Sequence, residues 1–346
     1  MKIAVALSGG VDSATTLAFL RNAGHEVQAF TMKLWNSDYP ESLKNSCFGY
    51  GKQEDIDACI DICDILNVPY TVIDLSKEFQ EKVITPFKES YLEGITPNPC
   101  VTCNREIKFG LFMERIKEIF DYDYFSTGHY SNVKIIDGVP YLKRVENDKK
   151  DQTYFLWQIE NSKLKDVYFP IAEFKEKERV REYARKCDLP VAIKKDSMSF
   201  ADGAYPSLFE NIETGNFLYN GKVIGQHKGK IFYTVGQRAR ISGMTEKLYI
   251  KNVSQSGQDI EVDTLDRIVT SEISFSKFTP KPLFYESNML YIKLKQEGSL
   301  IPIDAIVTYE KEDDMEIIIN TQVVLTPGQS CVIYNEDNYL VAGGII

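Results

Sequence analysis

No run of 18 uninterrupted apolar residues occurs in the 346-residue sequence, which leaves no candidate for a membrane-spanning helix. The N terminus lacks signal-peptide architecture and enters an apolar strand pattern at residue 3. Seven cysteines in so long a chain make no small-domain disulfide framework, so reduced thiols and a cytoplasmic location are expected. Internal repeats and low-complexity segments are absent as well. An excess of basic charge is also missing: 40 Lys and Arg face 50 Asp and Glu, a net −10. That balance counts against indiscriminate nucleic-acid binding and leaves room only for a local basic groove. Candidate pieces are Lys149-Lys150, Lys194-Lys195, His227-Lys228 with Lys230, and Arg238 with Arg240; each alone reads first as a solvated surface group.

What is present begins at once. The apolar run Ile3-Ala4-Val5-Ala6-Leu7 leads into Ser8-Gly9-Gly10-Val11-Asp12-Ser13-Ala14. The pattern reads as strand, tight loop and helix start, with Asp12 or Ser13 able to cap the helix. Gly9 and Gly10 admit close backbone approach to a ligand, and successive N–H groups with a helix dipole favour an anion. A phosphate fits there. The lysine of the Walker pattern is absent, so a GTPase-type loop is excluded.

Alternating strand-like and helix-like segments continue through the first half. Helical spacing covers 13–23, and Glu26–Trp35 reads as a strand. Residues 54–66 place Ile56, Cys59, Ile60, Cys63 and Ile65 at helical spacing, and Pro69–Leu75 returns to strand. Longer helical patterns follow near 76–93 and 105–120, and Asp123–Thr127 leads into Gly128-His129-Tyr130. This predicts an α/β fold, a doubly wound parallel sheet with ligand at the carboxyl ends of its strands. Asp137-Gly138 marks a hairpin, and 173–187 one more amphipathic helix. Residues 271–346, rich in Ile, Val and Tyr with turns at Glu297-Gly298 and Pro327-Gly328, predict a small β-barrel or sandwich.

The loop resembles the Ser-Gly-Gly-x-Asp-Ser loop of enzymes that cleave ATP to AMP and pyrophosphate. The stretch Thr96-Pro97-Asn98-Pro99-Cys100-Val101-Thr102-Cys103-Asn104-Arg105-Glu106-Ile107-Lys108-Phe109 resembles a signature of bacterial tRNA-specific 2-thiouridylases. Matches continue in order through Thr127-Gly128-His129-Tyr130, Lys150-Asp151-Gln152, Lys194-Lys195-Asp196-Ser197 and Gly225–Gly229. Tyr233–Arg238, Thr326–Ser330 and Gly343-Gly344 complete them. The resemblance implies an ATP pyrophosphatase domain over 1–203, a small central domain over 204–270 and a C-terminal β-barrel over 271–346. It further implies that ATP adenylates O2 of the wobble uridine of tRNA, after which a cysteine persulfide delivers sulfur and AMP leaves. By position, Ala6, Leu7, Ser8, Gly9, Gly10, Val11, Asp12 and Ser13 would hold the phosphates, and Met32 and Gly128 the nucleoside. Pro97, Asn98 and Pro99 would face the target base, while His129, Lys150, Asp151, Gln152 and Gln329 would approach tRNA. ATP with Mg²⁺, tRNA and a persulfide or sulfide donor protein are the implied ligands and partners; membrane and DNA are not.

An ATP loop of this kind needs a sulfur nucleophile nearby, because uracil O2 leaves poorly until adenylated. Cys103, just ahead of a helical pattern, is expected to have a lowered thiol pKa, with Lys108 adding to the field. Asp12 is the expected metal-side ligand.

Two departures from the family stand out. Members usually carry a second cysteine four residues after Lys-Lys-Asp-Ser; Ala201 stands here. Cys100 stands where aspartate is common, giving a Cys-x-x-Cys pair that can form a disulfide and replace the relay, or begin an iron–sulfur or zinc site. Cys59 and Cys63 could complete such a site, although their apolar setting favours core burial. Cys47 lies in a polar loop, while Cys187 and Cys331 read as structural. The second departure is electrostatic: no arginine follows Arg267, and residues 271–346 carry five lysines against eleven acidic residues, a net −6. Thr308-Tyr309-Glu310 replaces a basic element common in the family, and Arg238-Ala239-Arg240 replaces Arg-Lys-Gly. Rival readings are a cluster-dependent or different-substrate enzyme of the same fold, and a non-catalytic RNA- or sulfur-carrier-binding paralogue. The complete phosphate loop and Cys103 argue against the last.

Overall fold

A computed structural model describes all residues except 36–38, 45, 50–52, 148, 195–199, 202, 296–298 and 309–314. Lys195-Asp196-Ser197, the turn at Glu297-Gly298 and the pair Tyr309-Glu310 lie outside the described residues. The chain divides into two compact units, one formed by 1–83 with 100–207, the other by 84–99 with 208–346.

The first unit is built on five parallel strands: β1 (Lys2–Ala6), β2 (Glu26–Lys33), β3 (Tyr70–Asp74), β4 (Tyr124–Ser126) and β7 (Val167–Tyr168). Their order is β3-β2-β1-β4-β7, so the winding reverses between β1 and β4. The loops leaving those two strands therefore splay apart and open a crevice at their carboxyl ends. Near-continuous apolar residues explain β1: Ile3, Ala4 and Val5 are buried, as a strand covered on both faces requires. Helix α1 (Val11–Asn22) is buried along most of its length through small residues, and packs with the helix Lys177–Lys186 in one core cluster. Helix α2 (Gln53–Leu66) buries Ile56, Cys59, Ile62, Cys63 and Leu66. Cys59 and Cys63 thus join the core, as their spacing suggested. Ile60 and Ile65 face solvent, however, because the apolar stripe runs through Ile62 and Leu66. The hairpin β5 (Asn132–Ile136) and β6 (Val139–Lys143) turns at Asp137-Gly138, both at positive φ.

The second unit carries two sheets. The first joins β8 (Gly215–Tyr219), β9 (Lys222–His227), β10 (Arg238–Ala239), β11 (Leu248–Val253) and β12 (Ile260–Asp263) in the order β10-β11-β12-β8-β9. The other contains β13 (Val269–Phe275), β14 (Leu290–Lys293), β15 (Ile301–Thr308), β16 (Met315–Val324), β17 (Ser330–Asn335) and β18 (Leu340–Ile345), ordered β13-β16-β15-β14-β17-β18. Ser276 and Ile345 exchange main-chain hydrogen bonds at 2.8 Å just beyond β13, so this antiparallel sheet curls until its ends meet. The apolar faces of its strands, including Ile273, Ile317, Ile333 and Val341, fill the interior. Both the doubly wound sheet and the barrel-like C-terminal sheet follow the sequence expectation. Among the described residues no helix is long and apolar enough to cross a membrane.

Candidate active site

The parallel ladder continues one residue past β1, with Leu7 N–H donating to Phe30 O at 2.8 Å. Gly9 then turns the chain at φ +70°, and a Cβ there would stand 2.8 Å from Asp55 O, so only glycine fits. Gly10 is the N-cap of α1 and brings no side chain. The expectation that Asp12 or Ser13 caps this helix is therefore corrected: both already lie within its first turn. Ser13 instead draws the loop together. Its Oγ accepts from Ser8 N–H at 3.1 Å, lies 3.0 Å from Ser8 Oγ and donates to Gly10 O at 3.1 Å. The first-turn N–H groups have no partner within the helix, which suits that end of the loop to an anion.

The loop after β4 closes on this one. At Gly128 a Cβ would lie 2.7 Å from Ser13 N, so a larger residue would displace the phosphate loop. Met32 is half-buried at the carboxyl end of β2, in register with Ile73. Ala6, Leu7, Ser8, Val11, Met32 and Gly128 thus gather at the ends of β1, β2 and β4.

Four further side chains complete the setting; the sequence offers Lys194 only as a basic-groove residue and Tyr130 only within a motif, and sequence reasoning missed Lys177 and Arg181. Lys177 Nζ donates to both carboxylate oxygens of Asp12, at 2.8 and 2.6 Å, and Tyr130 OH donates to Oδ1 at 2.8 Å. Arg181, one turn after Lys177, donates to the carbonyls of Ala192 and Lys194 at 2.9 and 2.8 Å. Lys194, so held, reaches Gly9 O at 2.9 Å and pairs with Asp55. The loop that lacks a Walker lysine is therefore flanked by two lysines, 177 and 194, from remote parts of the sequence. For Lys177 no sequence signal stands out, whereas Lys194 is among the candidate basic-groove residues.

The residues expected to approach tRNA fall into different roles. Gln152 exchanges hydrogen bonds with Tyr130, its Oε1 accepting from Tyr130 N and its own N–H donating to Tyr130 O, both at 2.9 Å. It therefore braces the residue that holds Asp12. Asp151 is fully enclosed, accepting from Thr153 Oγ1 at 2.8 Å with Arg144 Nε at 3.6 Å. A carboxylate so placed shapes its loop and cannot face RNA, which corrects that expectation. Lys150 is half-exposed beside it. His129 Nδ1 lies 2.7 Å from Thr127 Oγ1, with its ring near Phe109 and Phe169; burial holds its pKa well below the usual value and the imidazole is neutral.

The thiols also differ from expectation. The helix begins at Pro99 and continues through Cys103, whose turn opens a wide π-helical stretch, Cys103–Phe112. Cys103 is thus inside the helix and buried, not ahead of it. Burial pushes its thiol up to about 11, against the opposing pull of Lys108. Cys100 is raised for the same reason, again with Lys108 opposing. Desolvation defeats the positive field in the free enzyme. Asn104 donates to Phe155 O at 2.9 Å and anchors this turn. Among the described residues no group of three or more His, Cys, Asp or Glu side chains gathers as a metal site. Cys59 and Cys63 sit in the core with raised pKa values, so four thiolates are not assembled around Cys100 and Cys103. Ala201 is buried, and Phe200 O accepts from Cys47 N–H at 3.3 Å. Packing of Phe200 against Phe48 keeps the exposed Cys47 beside Ala201.

In the second unit, Pro97, Asn98 and Pro99 are half-buried. Gln329 Nε2 donates to Thr96 O at 2.8 Å and Pro97 O at 3.3 Å, so its amide fixes the segment that leads to the cysteines. His227 and Lys230 are likewise structural. His227 Nε2 lies 2.7 Å from Gln258 O, and Lys230 donates to the carbonyls of Ser254 and Gly257, both at 3.0 Å.

Comparison with known proteins agrees with this arrangement. Residues 1–201 match the family model described as a tRNA methyl transferase HUP domain, and 210–262 the corresponding PRC-barrel domain. A tRNA-specific 2-thiouridylase MnmA 1 of Clostridium tetani is 34% identical over 366 residues, covering 100% of this chain and 96% of that one. The tRNA-specific 2-thiouridylase MnmA of Endomicrobium trichonymphae is 33% identical over 358 residues, covering 100% and 99%.

Proposed function

Since the chain belongs to the tRNA-specific 2-thiouridylase family, we propose that it converts wobble uridine of tRNA to 2-thiouridine at the expense of ATP. The observation that carries this reading is the phosphate loop at the β1/β4 reversal. Its serine-tied, lysine-free backbone suits a nucleotide whose α-phosphorus is attacked.

In this reading uridine O2 attacks that phosphorus and pyrophosphate leaves, with Lys177 and Lys194 placed to balance the charge that develops. Mg²⁺ needs few protein ligands when phosphates supply the rest, and Asp12 is the carboxylate at hand to hold it once Lys177 moves to the phosphates. The ion would neutralise phosphate charge. Met32 and Gly128 border the nucleoside, and residues 97–99 the target base.

Cys103 carries the sulfane sulfur. Its terminal sulfur attacks C2, the C2–O bond breaks and AMP departs. Cys100 then attacks the inner sulfur, the S–S bond breaks, and the thiouridine leaves as Cys100 and Cys103 become a disulfide that an external thiol must reduce. Residues three apart on a helix have Cβ atoms about 5–6 Å apart, whereas a disulfide needs about 3.5–4.5 Å, so the first turn loosens in that step. Lys150 and Lys194 favour RNA phosphate, and a persulfide donor loads Cys103: the Cys103 thiolate attacks the donor's outer sulfur, the donor's S–S bond breaks and the donor cysteine leaves as a thiol. The cytoplasm, where tRNA and reduced thiols coexist, fits this chemistry.

Incubation with ATP, Mg²⁺, a persulfide donor and bulk tRNA should yield AMP, pyrophosphate and 2-thiouridine by mass spectrometry. ADP and inorganic phosphate as products would overturn the assignment.

A further inference from the structure

The barrel-like C-terminal sheet carries excess negative charge, yet three cations collect on the other sheet of the second unit. There an open cavity of about 440 Å³ has Phe217, Phe232 and Tyr233 along its wall and Lys228, Arg238 and Arg240 around it. Among the described residues no acidic side chain lines it. Among the described residues Arg238 and Arg240 form no ion pair, although the chain as a whole has more carboxylates than cations. All three cations are exposed. Lys228 Nζ stands 4.0 Å over the ring of Phe232, while Phe217 and Tyr233 meet edge to face at 5.3 Å.

The wall is firmly built. Gly236, at φ +87°, donates to Ile250 O at 2.8 Å, and a Cβ there would lie 2.7 Å from Val324 Cγ1. That turn presents Gln237 and Arg238. Gln237, which lines the cavity, is fixed through its Oε1, which accepts from Thr234 N–H at 3.1 Å. Aromatic faces, an amide donor and unpaired cations together suit a flat heteroaromatic base with phosphates on either side. The volume falls in the range of about 300–1,000 Å³ usual for small-ligand sites.

We propose that this cavity seats one unpaired nucleotide of the substrate RNA. Its base lies against the aromatic wall, and the flanking phosphates lie on Lys228, Arg238 and Arg240. A strand is favoured over a free nucleotide because the cations stand exposed around an open mouth, where a passing backbone reaches them. This inference rests on the reading of the chain as a tRNA enzyme.

Three probes test it: bulk tRNA, a fluorescent single-stranded octauridylate, and UMP. Arg238→Ser with Arg240→Ser should weaken octauridylate and tRNA binding at least tenfold. The same pair should flatten the slope of log K against log salt by about 1.5, two phosphate contacts' worth. Phe232→Ala should weaken binding with an unchanged slope. ATP affinity, which belongs to the other unit, should not move. Wild-type affinity and slope in the double arginine variant, with 2-thiouridine still formed, would overturn the pocket and leave the tRNA reading standing. UMP binding as tightly as the octamer would overturn the strand proposal. A defect confined to sulfur delivery by a donor protein, with RNA affinity intact, would also overturn it. Pocket-dependent octamer binding by an enzyme that neither binds nor thiolates tRNA would sustain the pocket and sink the tRNA reading.

Discussion

Lys177 grips both carboxylate oxygens of Asp12, at 2.8 and 2.6 Å, across 165 residues of sequence. The pair is mostly shielded, with side-chain exposures of 16% and 29%. Tyr130, braced by Gln152, adds a third hydrogen bond to the same carboxylate. An acidic residue in the first turn of α1 would otherwise oppose phosphate at the helix N-terminus. Pairing it with a cation keeps the helix end receptive to phosphate.

Lys177→Met should therefore lower pyrophosphate release roughly a hundredfold, about 2.7 kcal/mol of transition-state stabilisation. Asp12→Ala should abolish turnover with the fold intact. In a double-mutant cycle the two changes should be strongly non-additive. Additive losses, measured as initial rates of pyrophosphate release, would mean that the lysine and the carboxylate work separately.

Gly128→Ala should reduce ATP affinity at least tenfold, because the added methyl would press on Ser13 N from 2.7 Å. Circular dichroism should show an intact fold. Unchanged nucleotide binding by calorimetry would contradict the close approach of the two loops.

Burial that raises the Cys103 thiol to about 11 fixes its pH behaviour. In the free enzyme about one molecule in a thousand is thiolate at pH 8, so alkylation by iodoacetamide should be slow and rise about tenfold per pH unit towards 11. The raised value also means that folding favours the protonated thiol. Its contribution to stability is complete below the ordinary thiol value near 9 and is lost as pH climbs through 11. A plateau in alkylation rate near pH 7 would show that a low-pKa thiolate exists after all.

For sulfur transfer, Cys100→Ala and Cys103→Ala should each abolish 2-thiouridine formation, with other cysteines dispensable. Cys100→Asp should not rescue activity, whereas Cys100→Asp with Ala201→Cys should do better than Cys100→Asp alone. Cys47 is the informative control, since its main chain touches Phe200 beside Ala201. Loss of thiouridine in Cys47→Ala, with Cys100→Ala active, would move the relay to the exposed loop.

What the sequence disclosed was local. The apolar run at residues 3–7 with its Gly-Gly turn gave β1 and the loop, because strand period and positive φ are written in consecutive residues. Asp137-Gly138 gave its hairpin for the same reason. Contacts between distant segments were not written there: nothing local marks Lys177 as the partner of Asp12, or Gln152 as the brace of Tyr130. Cys103 shows a second limit. Its neighbours suggested an activated thiol at a helix start, but the helix starts a turn earlier and buries the sulfur. Lys230 repeats the lesson, because a lysine in a basic run proved to be a buried bracket for three carbonyls.

Ile346 is part of the joinery of the second unit. Ile346 O accepts from Gly328 N–H at 2.7 Å, and its own N–H donates to Gln329 O at 2.9 Å, in the turn whose amide holds Thr96 and Pro97. Loss of Ile346 would break both of those bonds and loosen the turn that holds the segment before the cysteines. A variant lacking Ile346 should therefore lose activity before it loses secondary structure.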